Sequence, residues 1–235
     1  MMHKTLITLA TVVATVLGAA AQDQWSIGLQ AGLAGTTPTS TTKHNLKDNF
    51  DGCVAFTGGV TAQYGRVRFK VDATYGQPSF NRYNIFGVMD GQGHDAQINA
   101  TANASLTLVG VQPGFTVLRT GRLSITPAAG IMWSHYSWTV NDIEWSKNDA
   151  GEDQFQVKDK HNATLSHVGW MASVDFDIRL RDSYTDVLGP QQRLRQSLRI
   201  TPWIGQASYD KCYPHAKGYH LGLSVAYSGM LSWLQ

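Results

Sequence analysis

The sequence predicts an all-β fold: an up-and-down antiparallel β-barrel of about eight strands that spans a membrane. Three observations point there. Two segments alternate strictly between apolar and polar residues. From Val67 to Tyr75 the apolar set is Val67, Phe69, Val71, Ala73 and Tyr75. From Val168 to Leu180 it is Val168, Trp170, Ala172, Val174, Phe176, Ile178 and Leu180. Side chains of a strand point to opposite faces with period two, so each segment has one apolar face and one polar face. Long and short links between such segments alternate along the chain. The chain also opens with the pattern of an export leader.

Met1 to Ala21 reads as that leader. His3 and Lys4 precede an apolar run from Leu6 to Leu17, too short to cross a bilayer as a helix. Ala19-Ala20-Ala21 supplies small residues for cleavage, which makes 22–235 the mature barrel domain. The composition agrees with an envelope protein. Only 15% of residues are charged, against roughly 25% in ordinary soluble domains. The formal net charge is +2, so nucleic acid is not an expected partner. No metal-ligand spacing occurs, and no metal or cofactor is expected.

Each strand follows from its apolar register. Trp25–Leu33 aligns Trp25, Ile27, Leu29, Ala31 and Leu33. Cys53–Tyr64 aligns Val54, Phe56, Val60, Ala62 and Tyr64. Val67–Tyr75 is the third. The fourth covers about Thr101–Leu118, where the apolar register changes from Leu106 and Leu108 to Val109, Val111, Phe115 and Val117, which predicts a bulge near Gly110. Leu123–Ser137 aligns Leu123, Ile125, Pro127, Ala129, Ile131 and Trp133. Thr164–Leu180 is the sixth. Ser197–Ala207 aligns Leu198, Ile200 and Ile204, and the last aligns Tyr219, Leu221, Leu223, Val225 and Tyr227.

The links separate the two ends of the barrel. Gly65-Arg66 and the stretch around Thr120-Gly121 are short. The links after Leu33, after Tyr75 and from Val140 to about Asn162 are long, as outer-membrane barrels require of their external loops. Arg181–Gln196 is expected as a long link at the short-turn end and departs from the pattern. A soluble lipocalin-like binder would share the alternation with its apolar face inward. Small residues on the polar face (Thr57, Gly59, Thr61, Ala128, Gly130, Gly222, Ser224) favour a narrow lumen instead. Aromatics at both ends of the apolar faces favour lipid: Tyr64, Phe115, Phe176 and Tyr227 at one, Tyr75, Trp133, Trp170 and Tyr219 at the other.

With apolar faces toward lipid, the charges turn inward. Arg68, Lys70, Asp72, Asp175, Asp177, Arg179 and Arg199 all fall toward the short-turn end and are expected to form an ionic network that plugs the lumen. An eight-stranded barrel is only wide enough to be filled by side chains. The outer half, lined by Thr57, Gly59, Gly130, Ser134, Ser224, Met171, His167 and His220, is expected to leave a small cavity open to the outside. The two histidines there are read as lumen hydrogen-bonding groups, with a ligand or proton-transfer role as the alternative.

Cys53 and Cys212 both fall at the loop end, either bonded to each other or as separate thiols. His135-Tyr136-Ser137 is the one catalytic-looking motif. It resembles the His-x-Ser of the outer-membrane lipid A deacylases, in which histidine is the base for a serine nucleophile. Here Trp138 stands where that family has Asn, the motif lies on the fifth strand, and Asp142 or Glu144 would have to orient the histidine. The alternative for the pair is two polar residues at the interface, entering a loop. Asn99, Asn103 and Asn162 begin glycosylation-type triplets and are read as polar loop margins.

The leader, the alternating strands and the loop pattern together resemble the small porin-family, OmpA/OmpX-like outer-membrane barrels abundant in Bacteroidota. The resemblance implies a monomer in the lipid of a bacterial outer membrane. It implies a non-enzymatic, structural or surface-interaction role carried by external loops whose partner is unknown. A narrow pore for small solutes and a deacylase using His135 and Ser137 are the alternatives.

Overall fold

The computed structural model describes residues 25–40, 52–78, 88–89, 95–96, 104–147, 150–151, 153–185, 192–208 and 217–233. The expected leader lies outside the described residues. Eight strands form the wall: β1 (Trp25–Ser40), β2 (Cys53–Tyr64), β3 (Val67–Gly76), β4 (Ser105–Phe115, continued by the two-residue Leu118–Arg119), β5 (Leu123–Lys147), β6 (Asp153–Thr185), β7 (Gln192–Ser208) and β8 (Lys217–Trp233). A two-residue pair, Val88–Met89 with Asp95–Ala96, stands apart from them.

Each strand pairs antiparallel with its sequence neighbours, and β1 pairs β8 from Ser26↔Ser232 to Ser40↔Gly218. The sheet is therefore closed. Backbone groups in lipid have no water to bond, so a spanning sheet tolerates no free edge. The β2–β3 turn is two residues long, and Gly65 takes φ 59° at its first position, the left-handed conformation such hairpins need. The β4–β5 ladder skips Pro113, and the β6–β7 ladder skips Pro202. Neither proline has an N–H to give.

The burial pattern inverts that of a soluble barrel. Val54, Phe56 and Leu29 are 75, 73 and 66% exposed on the outside, whereas Lys70 and Arg199 are 1% exposed within. Alternation thus runs apolar-out and polar-in, the pattern of barrels that cross the bacterial outer membrane. Rings pair at both rims of the apolar band: Trp25 with Tyr64 at 5.0 Å, Trp170 with Tyr219 at 6.0 Å.

Three expectations about the strands are corrected. No bulge occurs at Gly110: Leu106, Leu108, Gly110 and Gln112 all face inward, in one unbroken register against β3. The apolar register appeared to slip because the inner face itself is apolar at that level. The bulges sit between Gln196 and Ser197 against β6, and between Asp142 and Ile143 against β6. Second, the expected long link after β5 is mostly strand. Residues 138–147 and 153–163 continue as a two-stranded ribbon, paired only with each other beyond the barrel wall. Third, β6 runs to Thr185 and β7 starts at Gln192, so the third link at the short-turn end is short like the other two. Polar residues end an apolar face, but they do not end backbone pairing once the chain has left lipid.

Candidate functional site

The interior is built in two layers. The lower one, toward the short turns, is ionic. Inward positions of β3 carry Arg68, Lys70 and Asp72; those of β6 carry Asp175 and Asp177; β7 contributes Arg199. Arg68 donates to Asp175 Oδ2 at 3.1 Å and to Asp177 Oδ2 at 2.7 Å. Lys70 Nζ lies 2.8 Å from Asp175 Oδ1 and 3.1 Å from Asp72 Oδ2. Arg199 Nε lies 2.6 Å from Asp177 Oδ1. Three cations thus face three carboxylates across the lumen. β3 and β6 are not sheet neighbours; closure of a narrow barrel brings them together.

Neutral groups complete this layer. Thr201 donates to Asp175 Oδ1 at 2.9 Å, and Gln30 accepts from Arg199 Nη1 at 2.5 Å while donating to Asp72. Thr61 accepts from Arg199 at 3.2 Å and Gln63 from Arg68 at 3.4 Å. A buried charge needs such partners for its remaining hydrogen-bonding capacity. Gln30, Gln63 and Thr201 were not picked out from sequence, although each interrupts an apolar alternation at the inward parity. Arg179, expected in the cluster, lies at its rim and faces Asp182 at 3.6 Å instead.

Among the described residues the upper layer is largely apolar, and the expected small cavity is narrowed to a void lined in part by Thr57, Met171 and Ser224. Leu106, Leu108, Met132, Met171, Tyr136 and Trp203 pack together inside the barrel. The glycines opposite them make the room. A Cβ at Gly222 would run into the Trp203 ring, one at Gly205 would meet Met132 Sδ at 2.6 Å, and one at Gly110 would meet Met171 Sδ at 2.9 Å. Of the small residues expected on the polar face, Gly222 is therefore complementary to a large ring on the neighbouring strand, and Gly110 and Gly205 do the same for Met171 and Met132. Trp203 does not stand out in the sequence because the apolar alternation of β7 is carried by Leu198, Ile200 and Ile204. Its parity, opposite to theirs, was the available signal.

The other polar members of this half are engaged. Thr57 accepts from Thr74 at 3.2 Å, Ser134 donates to the His167 carbonyl at 3.4 Å, and the His220 ring stacks on Tyr136 at 5.7 Å. Gly59 and Ser224 face the boundary between the layers, and Gly130 presses against the β4 backbone. A void of about 20 Å³ lies at that boundary, between Lys70, Asp72 and Ser224 below and Met132 and Trp203 above. It is room for about one water.

The catalytic-looking pair does not assemble. His135 lies on the outer face, its ring stacked on Trp133 at 5.4 Å, and its Nδ1 is 2.7 Å from Ser166 Oγ on the neighbouring strand. Ser137 stands beside Ser105 and Thr164. The histidine is therefore bonded to Ser166, its direct cross-strand partner. The side chains of Asp142 and Glu144 lie outside the described part, as do Asn99 and Asn103; Asn162 stands exposed in β6. Cys53 packs against the apolar layer, and Cys212, its expected companion, lies outside the described residues. Among the described residues no group of histidine, cysteine and carboxylate side chains is arranged to hold a metal.

No protein-family model matches the chain, and a comparison with curated proteins finds no match. Solved structures do resemble it. Ail, the attachment invasion locus protein of Yersinia pestis, aligns over 87% of this chain and 99% of its own, with 8% identity and a TM-score of 0.44. Neisserial surface protein A aligns over 88% and 97%, with 12% identity and a TM-score of 0.42. The outer membrane protein OprG from Pseudomonas aeruginosa aligns over 91% and 97%, with 7% identity and a TM-score of 0.41.

Proposed function

We propose that this protein is a non-enzymatic, monomeric outer-membrane β-barrel with a closed lumen, acting through its loop-end surface. The observation that carries the reading is the doubly filled interior. An ionic layer and an apolar layer lie in series, and the space between them holds about one water. A solute would have to displace both. What remains for function is the outside, where the β5–β6 ribbon extends past the wall. Closure supports the monomer, since no strand edge needs a second copy. The engagement of His135 by Ser166 rather than Ser137 favours the non-enzymatic reading over a deacylase.

Planar-bilayer recording tests this. The refolded protein is expected to show no steady conductance above the lipid background. A steady open level would overturn the closed-lumen reading in favour of a narrow pore, and its change in Trp203→Ala would locate the constriction.

A further inference from the structure

The end of the barrel opposite the ribbon carries an unexpected charge distribution. Seven of the chain's ten arginines fall there. Arg66 stands in the β2–β3 turn, Arg119 and Arg122 in and beside the β4–β5 turn. Arg179, Arg181, Arg193 and Arg195 flank the β6–β7 link. No lysine stands in these links or the strand ends beside them. The acids are two, Asp182 and Asp186, the latter outside the described residues. The excess of positive charge is thus built wholly of guanidinium, the side chain whose planar fork matches the oxygens of phosphate and carboxylate.

Four of these arginines converge. Arg119, Arg122, Arg179 and Arg195 line one shallow recess of about 10 Å³, with the hydroxyl residues Thr120, Ser124 and Ser197 between them, so an anion would rest across its open face rather than inside it. Asp177 forms its floor, but Arg68, Arg199 and Ser124 already donate to its oxygens. Asp182 is held by Arg193 and, more loosely, by Arg179 at 3.6 Å. Arg195 meets like charge from Arg179, Arg193 and Arg119, and its buried Nε has no hydrogen-bond partner. Arg119 donates to the Gly65 carbonyl at 2.6 Å, but the guanidinium donors of Arg122, Arg179 and Arg195 still outnumber the carboxylate oxygens around the recess, and the guanidinium groups repel one another. Such a cluster is stabilised by a bound oxyanion. Arg195 and Ser197 are on the lumen parity of β7, so the recess opens along the barrel axis at the short-turn mouth.

We propose that this recess is a phosphate-binding site at the mouth of the barrel, held by Arg122 and Arg195 with Arg119 and Arg179 around them. The occupant is a phosphate group, either free in solution or carried by the headgroup of an anionic phospholipid. The site is independent of the loop-end role proposed above.

The test uses the full mature barrel in dodecyl maltoside micelles, which contain no phosphate. Thermal unfolding is read from the gel mobility of boiled and unboiled forms, in pyrophosphate or in chloride at matched ionic strength. A ligand that binds only the folded state raises the midpoint. Pyrophosphate is expected to raise it by a few degrees in the wild type and not in Arg122→Gln/Arg195→Gln. Arg122 is exposed in a turn, so Arg122→Gln alone, with a reduced response, serves if the double variant does not fold. Arg122→Lys is expected to recover only part of the response, since it restores charge without the fork. Adding phosphatidylglycerol to the micelles separates the sources. If the headgroup is the occupant, the lipid itself raises the midpoint and removes the response to pyrophosphate; if free phosphate is, that response persists. Equal midpoints in pyrophosphate and chloride without lipid would overturn the site, and so would an undiminished response in the variants.

Discussion

Replacing Asp175 by Asn removes one charge from the lumen and almost nothing from its shape. The carboxylate is fully buried, with Lys70 Nζ at 2.8 Å and Arg68 Nη1 at 3.1 Å. At an effective dielectric of about 20, unit charges 2.8 Å apart attract by about 6 kcal/mol, before the cost of desolvating them is set against it. Deleting one member of a buried set leaves the others uncompensated, at a typical cost of about 3–5 kcal/mol. Arg68, Lys70 and Arg199 would then face only Asp72 and Asp177, one cation in excess. The prediction is a loss of about 3–5 kcal/mol in Asp175→Asn, with Lys70→Gln/Asp175→Asn recovering a substantial part by restoring neutrality. Urea unfolding in detergent micelles, followed by tryptophan fluorescence and gel mobility, measures both. A single-variant loss below about 1 kcal/mol, or a double variant equal to the sum of its singles, would refute the network as an electrostatic unit.

Other perturbations test the remaining assignments. Gly222→Val is expected to destabilise by about 1–3 kcal/mol through collision with the Trp203 ring, and Trp203→Leu in the same chain to relieve part of that loss. Relief absent from urea titration would mean the two residues do not meet. Val60→Lys, on the outer face of β2, is expected to cost about 2–4 kcal/mol if that face meets lipid. A neutral effect would turn the barrel into a water-soluble one. Overexpressing wild type and His135→Ala is expected to leave lipid A mass identical in both; a deacylated species seen only with the wild type would revive the enzyme reading.

The faces of β2, β3 and β6 were legible because alternation is a local property. Val67–Tyr75 and Val168–Leu180 show the period without reference to anything else in the chain. The inward turn of Arg68, Lys70, Asp175 and Asp177 follows from it, since an apolar partner face must meet lipid. Where the inner face is itself apolar, the same rule misleads. Leu106 and Leu108 read as outward because they are apolar, and the change of register to Val109 and Val111 then calls for a bulge. They face inward because Met132, Met171 and Trp203 meet them there. Strand ends misled for a related reason. Hydropathy reports where lipid ends, whereas β5 and β6 go on pairing to Lys147 and Asp153.

Alternation along the chain establishes that there are eight strands, which way the side chains of β2, β3 and β6 point, and that both signs of charge lie inside. Which side chains meet across the lumen is set by closure of the barrel. Arg68 on β3 finds Asp175 and Asp177 on β6, three strands away round the wall, and Gly205 on β7 lies empty against Met132 on β5. Those pairings depend on the radius and stagger of the closed barrel, which set the separation of residues on non-adjacent strands. Alternation along one strand says which way a side chain points; it carries no information about what stands opposite.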